Sequence, residues 1–394
     1  MVSDRRQPTA PHPYDLRDRA RLSRASSRKW SLHPGTIGAW VAEMDFGTAP
    51  AVQEALQRAI ADEVLGYLSP ALAGDLADAT ADWMRDAYGW QVDPDRVHAV
   101  SDVMAALRVA VEEYSPEGSA VIVPTPAYMP FLTYLPTLGR EVVEVPGTVV
   151  DGRWQHDLDG IDRAFAAGAR TLVLCNPHNP TGTVLGRDEL LAICEVVERH
   201  GGRVFADEIH APIRFDAHEH VPYASISDAA AAHATTGTSA SKAWNVPGLK
   251  AAQLITSSDA DEERYGRFGF SVVHGASTLG VVAGIAAYRD GRAWLDDALG
   301  YLDANRRALA ALVAEHLPDV EMRAPEATYL AWIDASALGL ADPATFFREH
   351  AGVALTDGAL CGRGSEGFVR LVFATPRPLL EEAVAAMGRA VRAR

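Results

Sequence analysis

The chain has 394 residues, 48% of them apolar and 22% charged, a composition that excludes disordered, collagen-like and disulfide-scaffold classes. Its 36 basic and 52 acidic groups leave a formal charge of −16, and no long Lys/Arg block offsets it, which argues against nucleic acid or an anionic membrane surface as partner. At about 100 to 200 residues per domain, the length allows two or three compact units, or one large core with a smaller appendage.

Met1 to Gln7 carries charges and no apolar h-region follows it, so Arg5-Arg6 is not expected to act as an export signal. Cys175, Cys194 and Cys361 are odd in number and widely spaced, which predicts a reducing, cytoplasmic setting without a disulfide framework. Arg17, Arg19, Arg21, Arg24, Arg28 and Lys29 form a basic arm, either solvated or clasping a second subunit. After Trp40 to Phe46, Pro50 opens a helical pattern through Val52, Ala55, Leu56, Ala59 and Ile60.

From there short apolar runs alternate with helical stretches. The runs are Val121 to Val123, Val142 to Val145, Thr171 to Leu174, Val204 to Ala206 and Ala251 to Thr256; Val103 to Tyr114 and Arg187 to Arg199 are amphipathic. This alternation predicts an α/β fold, a largely parallel sheet covered by helices on both faces, with ligands beyond the carboxyl ends of the strands. Ala229 to Ala232 belongs to a helix end. Past about residue 290, a helical stretch from Trp294 to His316, strand-like Tyr329 to Ile333 and Phe368 to Phe373, and a last helix predict a smaller α+β unit. Two uncharged stretches, Gly118 to Gly139 and Phe268 to Tyr288, contain too many prolines, glycines and polar residues to read as membrane helices.

Three pattern matches fail in context. Gly362 to Gly367 fits a dinucleotide glycine pattern, but a strand follows where a helix is needed. Ser239-Ala240-Ser241-Lys242 fits a Ser-x-x-Lys motif without its Lys-Thr-Gly partner. His210, His218 and His220 show no metal-ligand spacing and read as surface histidines, so no metal is expected.

Three other segments gain weight together. Asn176-Pro177-His178-Asn179-Pro180-Thr181-Gly182 is a constrained turn after a strand and can hold the Asn179 amide toward a ligand. Asp207 ends the run Val204 to Ala206; alone it would read as a cap. Lys242 lies in Ser239-Ala240-Ser241-Lys242-Ala243-Trp244-Asn245, among small residues that admit a bulky adduct and hydroxyls that can donate to a phosphate. Asparagine, aspartate and lysine in this order match what pyridoxal phosphate requires: a lysine to hold it, a carboxylate to keep its pyridine nitrogen protonated, and donors for its ring oxygen and phosphate.

On these motifs, with Ser27 to Trp30, Trp40 to Phe46, Gly66-Tyr67, Pro325 to Asp334 and Gly367 to Arg377, the chain resembles the fold-type I pyridoxal-phosphate enzymes of the class I/II aminotransferase superfamily. Within them it is most similar to the cystathionine β-lyase or C–S lyase branch that includes the maltose-regulon modulator. The resemblance implies a seven-stranded-type, mostly parallel sheet in a large domain over residues 50–290. It also implies a smaller α+β domain from both chain ends, with residues 1–49 as arm and part of it and residues 291–394 as the remainder.

It further implies that Lys242 carries pyridoxal 5′-phosphate, Asp207 meets its pyridine nitrogen, Asn179 and His210 lie near its ring oxygen, and Tyr128 stacks on the ring. The phosphate would sit against Asp102, Val103 and Met104, with Ser239, Ser241 and Lys250 completing its site. Tyr67 would reach in from the partner of a homodimer, and Arg370, with Asn179, would hold the carboxylate of an amino-acid substrate. Ala327, Val372 and Cys361 depart from the common pattern on the expected substrate side, where the loop before Phe270 also bears on pocket width. The implied reaction is β-elimination of a thiol from cystathionine or a cysteine S-conjugate to give pyruvate and ammonia. Transamination, decarboxylative chemistry on a cysteine S-conjugate and a regulatory binding role on the same fold are the alternatives.

Overall fold

A sheet covered on both faces needs strands that are apolar on both sides, and the short runs supply them. The computed structural model describes residues 11–24, 27–268 and 274–394; Phe270 lies outside them. One sheet has seven strands: β1 (Val97–Val100), β2 (Val121–Thr125), β3 (Val142–Pro146), β4 (Thr171–Cys175), β5 (Arg203–Asp207), β6 (Ala234–Thr238) and β7 (Ala252–Thr256). Their spatial order is β1-β7-β6-β5-β4-β2-β3. β7 is antiparallel to both neighbours, and the remaining pairs are parallel.

Alternation along β4 shows the two covered faces. Leu172 and Leu174 pack into a core with Leu190 and Ile193 of the helix Arg187–Arg199, whereas Val173 and Cys175 pack with Ala106 and Leu107 of the helix Val103–Glu113. β1 and β6 are the strands that the apolar runs did not reveal. β6 reads Ala-Thr-Thr-Gly-Thr and is buried throughout. β-branched threonine suits a strand, and a Cβ on Gly237 would stand 2.7 Å from the Phe205 ring, so glycine is what lets the layers meet there.

A second sheet holds β8 (Glu321–Met322), β9 (Leu330–Asp334), β10 (Thr356–Asp357) and β11 (Phe368–Val372), in the antiparallel order β8-β9-β11-β10. A segment from the first forty residues lies against it: Ile37–Gly38 and Val353–Ala354 form a separate parallel two-stranded sheet, and the Ala39 carbonyl accepts from the Val372 N–H of β11. A buried ion pair fixes this entry, with Lys29 Nζ 2.8 Å from Asp45 Oδ2 while Trp30 Nε1 donates to Asp45 Oδ1 at 2.8 Å.

The last part of the second uncharged stretch, Thr278 to Tyr288, lies in a core helix, Thr278–Asp290. A Cβ on its Gly280 would lie 2.1 Å from the Leu249 carbonyl, so the helix packs directly on the loop that follows Lys242. Among the described residues no helix is long and apolar enough to cross a membrane. All three cysteines are free and buried. The alanine run lies within the helix Asp228–His233.

The reading of surface histidines holds for His218 and is corrected for two others. His210 and His220 are 2% and 4% exposed. Burial is sustained at His220 because its Nε2 lies 3.0 Å from Glu208 Oε2, whose other oxygen accepts from the Tyr223 backbone N–H. No group of three metal-ligating side chains occurs among the described residues.

Candidate active site

The carboxyl ends of β1, β2, β4, β5 and β6 open on one edge of the large sheet, and the chemistry-bearing residues follow them. Asp102 comes after β1, Tyr128 after β2, Asn179 after β4, Asp207 ends β5, and Lys242 comes after β6. β11 of the second sheet brings Arg370 to the same cleft. Such an edge collects ligands because helix N-termini and loops converge there.

Lys242 Nζ donates to the Ala42 carbonyl at 3.0 Å. Burial, then the positive charge of Arg370, lowers its pKa to about 8, while Glu43 and Asp207 act in the opposite sense. Asp207 is 5% exposed, and one of its oxygens accepts from the Ile209 backbone N–H at 3.1 Å. Burial pushes this carboxyl up to about 7, opposed by that hydrogen bond and by Lys242. His210 is kept neutral by burial, which lowers it to about 3, and its Nδ1 is buried without a hydrogen-bond partner.

Arg370 is 2% exposed and hydrogen-bonded along one edge of its guanidinium. Nη1 donates to Asn179 Oδ1 at 2.9 Å; Nη2 donates to the Trp40 carbonyl at 3.0 Å and Thr356 Oγ1 at 3.2 Å. Its Nε is buried without a partner. Sulfur atoms flank it: Met129 Sδ lies 3.9 Å from Nη1, and burial raises the nearby Cys361 thiol to about 11. The Arg370 contact also orients Asn179, since an amide whose oxygen accepts from a guanidinium has its NH2 left to donate. Tyr128 is part-buried, its ring edge-on to Phe131 at 5.4 Å, and burial raises its hydroxyl pKa.

The other end of the cleft is more open. Asp102 caps the helix Val103–Glu113 by accepting from the Ala105 N–H at 2.8 Å, with Val103 buried and Met104 part-buried behind it. Its second oxygen is ion-paired with Lys250, which has a left-handed backbone at φ +53°. Ser239 Oγ donates to the Ala251 carbonyl at 2.8 Å and accepts from the Ser241 N–H at 3.0 Å. Tyr67 is 88% exposed, stacked with His274 at 5.2 Å beside a surface groove that includes Leu68, Pro70 and Ala276, and is not among the groups gathered at Lys242.

Three contributors were given no role from the sequence. The Ala42 carbonyl is a backbone group. Tyr329 sits at a strand entry that reads as core, yet its hydroxyl donates to the same Ala42 oxygen at 3.0 Å. Asn245 pins the segment around Ala42, accepting from the Met44 N–H and donating to the Met44 and Gly47 carbonyls at 2.8 to 3.0 Å. Its place three residues after Lys242 was the available clue.

The chain is similar to known proteins over most of its length. Residues 41–387 match the family model described as aminotransferase class I and II. The cystathionine β-lyase of Corynebacterium glutamicum is 38% identical over 363 residues, covering 92% of this chain and 95% of that one. Protein MalY of Escherichia coli is 32% identical, covering 90% and 91% respectively. The crystal structure of cystalysin from Treponema denticola, which contains pyridoxal 5′-phosphate, superposes with a TM-score of 0.88 at 27% identity, covering 94% of this chain and 96% of that one. The chain belongs to the aminotransferase class I and II family.

Proposed function

We propose that the chain is a pyridoxal-phosphate-dependent carbon–sulfur β-lyase that eliminates a thiol from cystathionine or another cysteine S-conjugate, leaving pyruvate and ammonia. The carrying observation is the convergence of Lys242, Asp207, Asn179 and Arg370 in one cleft of a chain whose curated relative at 38% identity bears the name cystathionine β-lyase.

The residues fit the cofactor. A buried carboxyl raised to about 7, such as Asp207, calls for a cationic partner, which a protonated pyridine nitrogen supplies. Lys242 is the lysine that would hold the cofactor, with Tyr128 on the ring face, and Asn179 Nδ2 and the neutral His210 beside its ring oxygen. The backbone at 102–104 with Ser239, Ser241 and Lys250 would meet the phosphate. When bound, the cofactor supplies an electron sink for the charge that develops at the substrate Cα.

The chain's own groups do the rest. Arg370, fixed by Asn179, Thr356 and the Trp40 carbonyl, holds the substrate carboxylate. Lys242 Nζ, with its ammonium form disfavoured by burial and by Arg370, takes the Cα proton as a neutral amine. The thiolate then leaves Cβ, and water completes the release of pyruvate and ammonia. A homodimer in which Tyr67 reaches the partner's cleft, a cytoplasmic location and the division of the chain at 49/50 and 290/291 belong to the same proposal; the exposure of Tyr67 supports the first.

A panel of S-substituted cysteines assayed with cofactor and without any keto acid tests the reading. Catalytic release of thiol and pyruvate is expected. Turnover that requires an added keto acid would instead make the chain an aminotransferase.

A further inference from the structure

A carbonyl oxygen has two lone pairs, and at Ala42 both are taken by functional groups from different parts of the molecule. Lys242 Nζ arrives from the loop after β6 and Tyr329 Oη from the entry of β9, each at 3.0 Å. Tyr329 is fully buried. The carbonyl is held on its far side too, since Asn245 pins Met44 by both its N–H and its C=O.

The backbone that delivers Tyr329 is strained. Thr328 has φ +68°, a left-handed conformation that is costly for a β-branched residue. It is imposed by contacts on both sides: the Glu326 and Ala327 N–H groups both donate to the Gly182 carbonyl, and the Thr328 N–H donates to the Ile213 carbonyl. Gly182 must be glycine for this, because a Cβ there would stand 2.4 Å from Pro325 Cβ. Strain held this firmly next to a buried hydroxyl aimed at the lysine's acceptor points to a role in the chemistry.

Resting on the cofactor reading above, we propose that Tyr329 is a positioning residue for Lys242: by sharing the Ala42 carbonyl it weakens that oxygen as an acceptor for an ammonium, keeping the lysine a neutral amine held by one N–H. An oxygen that already accepts from a phenol is a poorer partner for a cation, so the amine is favoured over the ammonium. The single N–H contact leaves the nitrogen lone pair directed away from Ala42. The other groups that face Lys242 are Arg370 on β11, Asp207 on β5, Glu43 beside Ala42 and His210 after β5. Arg370 acts in the same sense as Tyr329, and the two carboxylates act against it.

The test uses full-length apoenzyme and follows capture of pyridoxal phosphate by absorbance as a function of pH, since capture needs the neutral amine. Tyr329→Phe, which removes one oxygen from a packed ring, is expected to move the half-rate pH upward by about half a unit or more. Replacing Tyr329 with a difluorotyrosine, a stronger donor of the same shape, is expected to move it downward. The acid limb of kcat for the loaded enzyme should shift in the same two directions. Equal half-rate pH values in all three proteins would overturn the inference alone. Capture that is absent from the wild type, or equal in Lys242→Ala, would overturn the cofactor reading and the inference with it.

Discussion

The two ends of the cleft are built on opposite principles. Around Arg370 and Lys242 the polar groups are buried and held by named partners: Asn179, Thr356 and the Trp40 carbonyl for the guanidinium, and the Ala42 carbonyl for the lysine. Around Lys250 and Asp102 the side chains are 54% and 38% exposed and hold each other. The closed end is organised before any ligand arrives, which favours electrostatic discrimination in a low-dielectric site. At the open end a carboxylate occupies the cation that a phosphate would use, so affinity there is shared between an anion from solution and one from the chain.

Substitutions separate the two ends. The largest effect is expected from Lys242→Ala, which removes the proton acceptor at the closed end; turnover should fall by about 10³-fold or more, measured as pyruvate release under saturating cofactor. Arg370→Lys keeps the charge and loses the planar fork, so kcat/KM should fall by about 10- to 100-fold, mostly through KM, in a steady-state assay.

Asp207→Asn should lower turnover while stabilising the apoenzyme in a pH-dependent way. The folded-state pKa of Asp207 is raised, so its carboxyl costs nothing while protonated below 3.8. The cost then grows as pH rises toward about 7 and is constant above that. Thermal melts of the apo variant should therefore coincide with wild type at pH 3.5 and lie above it at pH 8, by an amount of the order of 2–4 kcal/mol.

The smallest effect is expected at the open end. Asp102→Asn frees Lys250 for the phosphate and should tighten pyridoxal phosphate by about 2- to 5-fold at low salt, an advantage that fades at high salt because the pair is exposed. Equilibrium dialysis at two ionic strengths checks it. A large, salt-independent change would show that the two ends do not differ as described.

Much of the closed end was legible in the sequence, because Asp207, Asn179 and Lys242 are chemically distinctive types placed at strand ends. Arg370 came through the resemblance alone, as a basic residue in an otherwise apolar run. What stayed hidden has physical reasons. The Ala42 and Trp40 carbonyls are backbone atoms with no residue signature. Tyr329 follows the same apolar pattern as a core residue. β6 escaped because Thr235, Thr236 and Thr238 read as polar while the fold buries them. His220 read as a surface residue because its partner Glu208, although near in sequence, becomes one only when both are buried. The Asp102–Lys250 pair spans residues 148 apart, so no local pattern could show that the lysine is already engaged.

The most direct measurement supplies the loaded protein with cystathionine and no keto acid, and quantifies homocysteine, pyruvate and ammonia over many turnovers. Equal amounts of all three, lost in Lys242→Ala, are the expected result. Consumption of cystathionine without free thiol, or turnover that stops after one equivalent until a keto acid is added, would contradict the account.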